Sequence, residues 1–213
     1  MSNASKTSVT SEKLLLKNVR LSFLRLEKPE AFEEGQKEKY QLTALLDPSN
    51  AEHAEIIALV RQEAVNLCKE AYGEVPADIK AAPMDRLPFG LADNHPKKKE
   101  YDGYKGMFYV YASNTVRPGI GNRKADSVLP GEPEFPYSGC YGNVSISLWA
   151  LLGPKKTKYG SRIGANLRAV QFTMDGDAFG LAPVSAEDEF DALEDNSPVT
   201  TGSSDWDEDD IPF

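Results

Sequence analysis

Gly142-Asn143-Val144-Ser145-Ile146-Ser147-Leu148-Trp149-Ala150-Leu151-Leu152 is the clearest strand signal in this chain of 213 residues. Apolar side chains occupy every second position, from Val144 to Leu152. The positions between them carry Asn143, Ser145, Ser147 and Trp149. This alternation is typical of a strand that buries one face in a core and exposes the other. We therefore expect a sheet with one covered face, and Trp149 on its polar face.

Four other segments show strand-like alternation on either side of this stretch. They cover residues 14–26, 38–46, 101–113 and 161–174. In the first segment, the residues expected to face the core are Leu15, Val19, Leu21 and Phe23. In the last segment the alternation slips after Ala169, which predicts a β-bulge or a barrel corner.

A single long helix is predicted at about residues 51–72, after the second strand candidate. Asp47-Pro48-Ser49 ends that strand, and Ser49 with Glu52 matches a capping box. Apolar residues then recur on one stripe of the helix, and Gly73 provides a C-terminal stop. We expect this helix to plug or cover one end of the sheet.

These elements predict a mainly β fold: a five-stranded antiparallel OB-fold barrel with one α-helix and long loops. The sequence shows no βαβ rhythm of a parallel sheet, and OB-folds commonly bind single strands. The helix of an OB-fold usually lies between its third and fourth strands. Either residues 14–26 contain two short strands, or the helix is placed differently. We expect a disordered arm at residues 1–12, the OB-fold domain at 13–180 and a disordered acidic tail at 181–213.

Charge is distributed unevenly along the chain. The net charge is −9, but no Lys or Arg follows Arg168, and eleven carboxylates follow residue 186. Without these eleven, 22 of the 33 acidic residues remain against 24 basic ones. Such asymmetry indicates a nucleic-acid-binding body with a separate interaction tail. An ordinary solubilising tail is the simpler alternative.

Cysteine and histidine usage argues against a metal site. Cys68 and Cys140 have neither the number nor the spacing of a disulfide framework or a zinc site, and His53 and His95 add no pair at ligand spacing. We expect no metal and no cofactor. The sequence shows no secretory h-region and no apolar run that could span a bilayer. This predicts a cytoplasmic protein with reduced thiols and no membrane partner, as a monomer or small homo-oligomer.

Aromatic rings and cations share the predicted outer positions of the strands and loops. Rings on which bases could stack are Tyr109, Tyr111, Trp149 and Tyr159. Cations that could contact phosphates are Arg20, Lys39, Lys105, Arg117, Arg123, Lys124, Lys155, Lys156, Lys158, Arg162 and Arg168. Such a mixture suits single strands, because each stacked base contributes roughly 1–3 kcal/mol. The alternatives are that the tyrosines belong to the core, that Trp149 covers the helix or a loop, and that residues 155–158 form a solvated turn.

The C-terminus, Asp205-Trp206-Asp207-Glu208-Asp209-Asp210-Ile211-Pro212-Phe213, combines an acidic lead with a terminal aromatic ring. A basic partner could attract the carboxylates, while an apolar pocket takes the ring. Asp209-Asp210-Ile211-Pro212-Phe213 resembles the tip of bacterial single-stranded DNA-binding proteins, which recruits replication and repair proteins. The residues expected to bind partners are Trp206, Asp209, Asp210, Ile211, Pro212 and Phe213.

The layout of the whole chain resembles phage-encoded single-stranded DNA-binding proteins, which combine an OB-fold with an acidic tail that ends in an aromatic residue. This resemblance implies a protein that coats and protects single-stranded DNA, independently of sequence, in replication or recombination. In the body it is a resemblance of layout, so it transfers no individual DNA contact. One alternative is an adaptor or decoy that displays the tip without binding DNA. The other is an enzyme, but the sequence lacks the P-loop, G-x-S-x-G, H-E-x-x-H and Cys-x-x-Cys motifs.

Overall fold

A computed structural model describes residues 8–31 and 35–179, apart from the side chains of 153–155. Within this part, the seven strands are β1 (Ser8–Glu30), β2 (Lys39–Leu46), β3 (Phe89–Leu91), β4 (Phe108–Asn114), β5 (Gly119–Gly121), β6 (Tyr141–Leu151) and β7 (Ile163–Met174). The helices are α1 (Ala51–Tyr72), α2 (Ala77–Ala81), α3 (Pro83–Arg86) and α4 (Gly153–Tyr159). The fold is therefore mainly β, as predicted. The acidic tail lies outside the described residues.

The strands form one sheet in the order β3-β4-β2-β1-β6-β7-β5. Most pairs are antiparallel, but β7 runs parallel to β5, and it also meets β4 in parallel where Ser113 lies opposite Asn166. The prediction of five antiparallel strands was therefore wrong in two respects. The described part of the chain has seven strands, and two of the strand pairings are parallel. The two additional strands, β3 and β5, have three residues each, which is too short for an alternating pattern to be visible.

Strand β1 begins earlier than the sequence predicted. Ser8 lies opposite Leu151 and Thr10 lies opposite Trp149 in the antiparallel pair with β6. The backbone N–H of Leu148 also donates to Oγ of Ser11, at 2.9 Å. Residues 8–12, which we expected in a disordered arm, are thus part of the sheet, whereas residues 1–7 lie outside the description.

Two bulges in β1 change which side chains face the core. The pairing with β6 shifts between Leu16 and Val19, and Asn18 has a φ of 47°. An inserted residue reverses the alternation of a strand, so the buried side chains are Leu14 and Leu16 before the bulge and Val19 and Leu21 after it. Leu15 is 42% exposed, and Phe23, at the second bulge, is 49% exposed. Their predicted core positions were wrong because we assumed a single phase along the strand.

Helix α1 has the predicted limits and covers the inner side of the sheet. Its buried side chains, which join the core, are Ile56, Ile57, Val60, Ala64, Leu67 and Cys68. Asn50, and not Ser49, is the N-cap, since its Oδ1 accepts a hydrogen bond from the N–H of His53 at 3.2 Å. Gly73 ends the helix with a φ of 84°, a conformation that favours glycine.

The predicted bulge in the last strand is confirmed. Ser145 lies opposite Ala169 and Ile146 lies opposite Leu167, which leaves Arg168 as the additional residue of β7. Buried positions accordingly change from Ile163, Ala165 and Leu167 to Val170 and Phe172.

Residues between Ala92 and Met107 pack against the outer face of β2 and β4. Tyr109, expected on that face as an exposed ring, is only 2% exposed and packs with Leu45, Ala92 and Tyr104. Residues 155–158, for which a solvated turn was one alternative, lie instead in helix α4 (Gly153–Tyr159). No helix in the described part of the chain is long and apolar enough to cross a membrane.

Candidate nucleic-acid interface

One face of the sheet is exposed or half-buried along β1, β6 and β7, apart from Ser147, which is only 2% exposed. Residues directly opposite in antiparallel strands point to the same face, so the pairing identifies the neighbours of each outward side chain of β6. Trp149 lies between Thr10 and Gly164, Ser147 between Lys13 and Asn166, Ser145 between Leu15 and Ala169, and Asn143 opposite Gln171. We call this row of residues the outer tract.

A groove of about 390 Å³ lies over one end of the outer tract. Strand β5 and the residues after it form one wall, with Ala125 and Ser127, while Leu15 and Ala169 provide apolar surface. Asn143 and Gln171 supply amide groups: Asn143 Nδ2 donates to Gln171 Oε1 at 2.9 Å. Gln171 Nε2 in turn donates to the carbonyl of Arg123 at 3.1 Å. The groove thus combines apolar contact area with fixed amides and contains no carboxylate among its lining residues.

Trp149 has a defined seat in the outer tract. A Cβ atom on Gly164 would overlap the indole ring, so the ring occupies the space beside the backbone of β7 that a side chain at position 164 would otherwise fill. The ring is half-buried. It is therefore held in place while part of its surface stays accessible, which is the arrangement that base stacking requires.

The seat of Trp149 leads to a testable prediction about Gly164. Replacing Gly164 with valine is expected to lift the indole from the sheet, because the two groups cannot share this space. In a Trp206→Phe background, where Trp149 is the remaining tryptophan of two, its emission should shift towards that of an exposed indole. Gly119→Ala is a matched control, since its added Cβ would meet Ala169 at an ordinary 3.6 Å. An unchanged emission spectrum in Gly164→Val would contradict the described seat.

Several exposed cations border the outer tract. Arg162 and Arg168 are exposed on β7 or just before it, as the sequence analysis expected. Lys13 and Lys17 of β1 are also exposed, although neither was predicted as a contact. Lys13 lies opposite Ser147, and Lys17 lies in the bulge beside Asn18, whose N–H donates to Asn143 Oδ1. The pattern of a single strand does not reveal these neighbours. Arg117 and Lys124, both exposed, flank β5 at the groove wall.

Other predicted cations already have partners within the protein. Arg20 donates from Nη2 to the carbonyl of Asp177 at 2.9 Å, and its guanidinium lies 4.2 Å from the ring centre of Phe179. Arg123 forms ion pairs with Glu134 at 3.3 Å and Asp175 at 3.7 Å. These two arginines are therefore less available for phosphates than predicted.

Two cations of α4 lie near aromatic rings. Lys156 Nζ lies 4.6 Å from the ring centre of Tyr72, and Lys158 Nζ lies 5.0 Å from that of Tyr159. Lys39 and Lys105 are exposed at the start of β2 and before β4. The side chain of Lys155 lies outside the description.

The predicted tyrosines do not form an open stacking platform on β4. Lys98 Nζ lies 4.7 Å from the ring centre of Tyr109, and the ring of His95 meets Tyr109 edge-on at 5.8 Å. Burial raises the pKa of Tyr109 and lowers the pKa of Lys98. Tyr111 is half-buried and donates to Gln41 Oε1 at 2.9 Å. Tyr159, in contrast, is 53% exposed.

Acidic, histidine and cysteine side chains do not gather into a metal centre. No group of three or more that could hold a metal ion occurs among the described residues. Cys68 and Cys140 are both free and buried, and burial raises the pKa of Cys140 to about 11.

Comparison with known proteins identifies the class to which this fold and face belong. A family model described as the ssDNA-binding protein of Enterobacter phage Enc34 matches residues 12–200. The chain belongs to this family of phage single-stranded DNA-binding proteins, a DNA-binding class and not an enzyme class. The resemblance stated from the sequence is thereby confirmed.

Individual relatives agree with this assignment. Putative protein p50 of Acyrthosiphon pisum secondary endosymbiont phage 1 is 32% identical over 181 residues, which covers 85% of this chain and 94% of that protein. The single-stranded DNA-binding protein from bacteriophage Enc34, solved in complex with ssDNA, is similar with a TM-score of 0.67 and 28% identity. That match covers 79% of this chain and 89% of the solved chain. Another solved structure of the single-stranded DNA-binding protein from bacteriophage Enc34 matches with a TM-score of 0.64 and 26% identity, covering 84% of this chain and 90% of the solved chain.

Proposed function

We propose that this protein binds single-stranded DNA independently of sequence, with the strand lying along the outer tract. The proposal rests on the outer tract. There the indole of Trp149, the hydrogen-bonded amides of Asn143 and Gln171, and flanking cations lie on one face of the sheet. The solved complex of the Enc34 protein with ssDNA, at a TM-score of 0.67, supports the same function. Coating and protection of single strands during replication or recombination in the host cytoplasm is the role that this activity serves.

We infer that the five long strands form an OB-type barrel. The pairings β4–β2, β2–β1, β1–β6 and β6–β7 lead back to β4 through the parallel contact at Ser113 and Asn166. A closed ring leaves few unpaired edges and presents one curved outer face. Helix α1 follows the second strand of this ring, so the helix is placed differently from that of the usual OB-fold.

The composition of the outer tract favours single strands over duplex DNA. In a duplex the base faces are stacked on one another and cannot reach an indole, whereas unpaired bases can stack on any aromatic ring. Cations contact phosphates without regard to sequence, and their contribution decreases with added salt. The face therefore suits unpaired bases of any identity.

The experiment that tests this function is a fluorescence anisotropy titration with labelled oligo(dT) and with duplex DNA over a series of salt concentrations. We expect tighter binding of oligo(dT) than of duplex, and affinity that falls as salt rises. A chain that binds neither DNA in dilute buffer would instead support the adaptor function of the tail.

We further propose that the acidic tail has two roles, recruitment of replication or repair proteins and competition with DNA. The tail follows Phe179, whose ring packs on Arg20. The 34 residues beyond it can extend at most about 120 Å, which allows its carboxylates to reach the cations of the interface. A tethered segment competes at a high effective concentration.

Deletion of residues 205–213 is therefore expected to tighten binding of oligo(dT) several-fold at low salt. The deletion removes five of the eleven tail carboxylates, and the difference should shrink at high salt because exposed charges are screened. Anisotropy titrations of both chains at two ionic strengths measure the effect. Equal affinities at low ionic strength would remove the competition and leave the docking role untouched.

A further inference from the structure

Phe23 and Tyr101 form an exposed aromatic pair beyond the outer tract. Phe23 is 49% exposed and Tyr101 is 39% exposed, and their ring centres lie 5.0 Å apart in an edge-to-face arrangement. Beneath them lies the buried ring of Tyr104, 6.1 Å from Phe23 and 5.4 Å from Tyr101. Two accessible rings are thus supported by a third that is fixed in the protein.

The backbone at Phe23 is strained in a way that exposes the ring. Its φ is 51°, a value that is rare for a bulky side chain. The strain coincides with the bulge between Ser22 and Arg25 in the pairing with β2. Without this bulge, the alternation of β1 would turn Phe23 in a different direction. Strain of this kind persists where the surrounding structure enforces it, and it clusters at binding sites.

A cleft of about 380 Å³ opens beside the two rings. Ser22, Ser138 and Phe179 complete its walls, and the acidic residues Glu100 and Asp102 are also among its lining residues. Its volume falls in the range of small-molecule sites, roughly 300–1,000 Å³. The cleft therefore offers aromatic faces together with hydrogen-bond acceptors.

We propose that this cleft binds one nucleobase of the DNA strand, stacked against Phe23 and Tyr101. The inference rests on the proposed function and extends it to residues outside the outer tract. Strand β1 carries both sites, and the eight steps from Leu15 to Phe23 correspond to roughly 25 Å. A single strand that follows β1 from the groove therefore reaches the cleft.

The carboxylates of the cleft select among bases. They repel phosphate, so the backbone of the strand stays outside. They accept hydrogen bonds from an exocyclic amine such as N4 of cytosine, whereas thymine has no such amine. The preferred ligand is thus a base with an exocyclic amine, within a strand that is otherwise bound without regard to sequence.

The test compares Phe23→Leu with the wild-type chain in anisotropy titrations with oligo(dC) and oligo(dT) over a salt series. Leucine keeps an apolar side chain over Tyr104 but removes the ring. We expect about 5- to 10-fold weaker binding of oligo(dC) at every salt concentration. The slope of log affinity against log salt should stay unchanged, since no phosphate contact is lost. Leu59→Ala, at an exposed apolar residue of α1, is the control and should bind as wild type.

Tyr101→Leu provides a second variant at a residue with an ordinary φ of −78°, and thermal unfolding confirms that each variant is folded. If Phe23→Leu and Tyr101→Leu both bind oligo(dC) as tightly as the wild-type chain, the proposed base-binding site is wrong. Wild type should also bind oligo(dC) more tightly than oligo(dT), and Asp102→Asn should reduce that difference. Equal affinity of the wild type for both oligomers would overturn the amine preference. A wild-type chain that binds neither oligomer would contradict the proposed function itself.

Discussion

Replacing Trp149 with alanine is expected to weaken binding of oligo(dT) by about 5- to 150-fold. The indole lies on the central strand of the outer tract, and the backbone at Gly164 holds it in place. Since the ring is already ordered, a stacked base gains contact without a further entropy cost for the side chain. Removing the ring also leaves the space beside Gly164 empty, because the methyl group of an alanine at position 149 is too short to fill it.

Two measurements separate loss of stacking from loss of structure. Trp149→Phe retains an aromatic face and should keep most of the affinity, whereas a merely structural role would be sensitive to the change in size. Thermal unfolding of both variants shows whether the sheet is intact. If the folded Trp149→Ala chain binds oligo(dT) as tightly as wild type, the ring does not stack on DNA.

The second large effect is expected for the double variant Arg162→Ala/Arg168→Ala. Both guanidinium groups are exposed on the β7 side of the outer tract. Each phosphate contact with a single strand contributes about 0.7 to the slope of log affinity against log salt. Losing two contacts should reduce the magnitude of the slope by about 1.4 and weaken binding roughly 65-fold near 50 mM salt. A salt series of anisotropy titrations measures both quantities.

A variant with the same change in net charge controls for long-range attraction. Lys69→Ala/Lys80→Ala removes two exposed cations from α1 and α2, away from the outer tract. Its salt slope should match that of wild type. Equal slopes in the two double variants would show that Arg162 and Arg168 contribute net charge and make no phosphate contact.

The sequence was most informative where local chemistry decides the structure. The limits of α1 follow from a breaker before Ala51 and from Gly73 after its last turn, and the bulge in β7 was visible because the apolar positions change phase. The bulges in β1 were missed because Leu15 and Phe23 are apolar in either phase, so the pattern did not show the shift. The short strands β3 and β5 depend on pairing with distant segments, which a local pattern does not contain.

Only part of the candidate interface could be predicted, because a local pattern shows which side of its own strand a residue faces but not what lies next to it. Trp149 and Arg162 are on the expected side because simple alternation holds along β6 and the first half of β7. Arg168 is exposed because it is the additional residue of the bulge. Tyr109 occupies an outward position, but Ala92, Tyr104 and Met107 pack against it. The local sequence pattern does not indicate such a contact. Lys13 and Gln171 belong to the outer tract through pairing with β6, which becomes visible when the sheet is assembled.

The most direct test of the outer tract as the DNA-binding face is the intrinsic fluorescence of Trp149 in a Trp206→Phe chain. Trp149 is then the sole tryptophan, and it reports contact with DNA at one defined position. We expect oligo(dT) to quench this emission in parallel with the rise in anisotropy of the labelled oligomer, because bases stack on the indole. Binding seen by anisotropy without any change in Trp149 emission would place the DNA on another face and contradict the account.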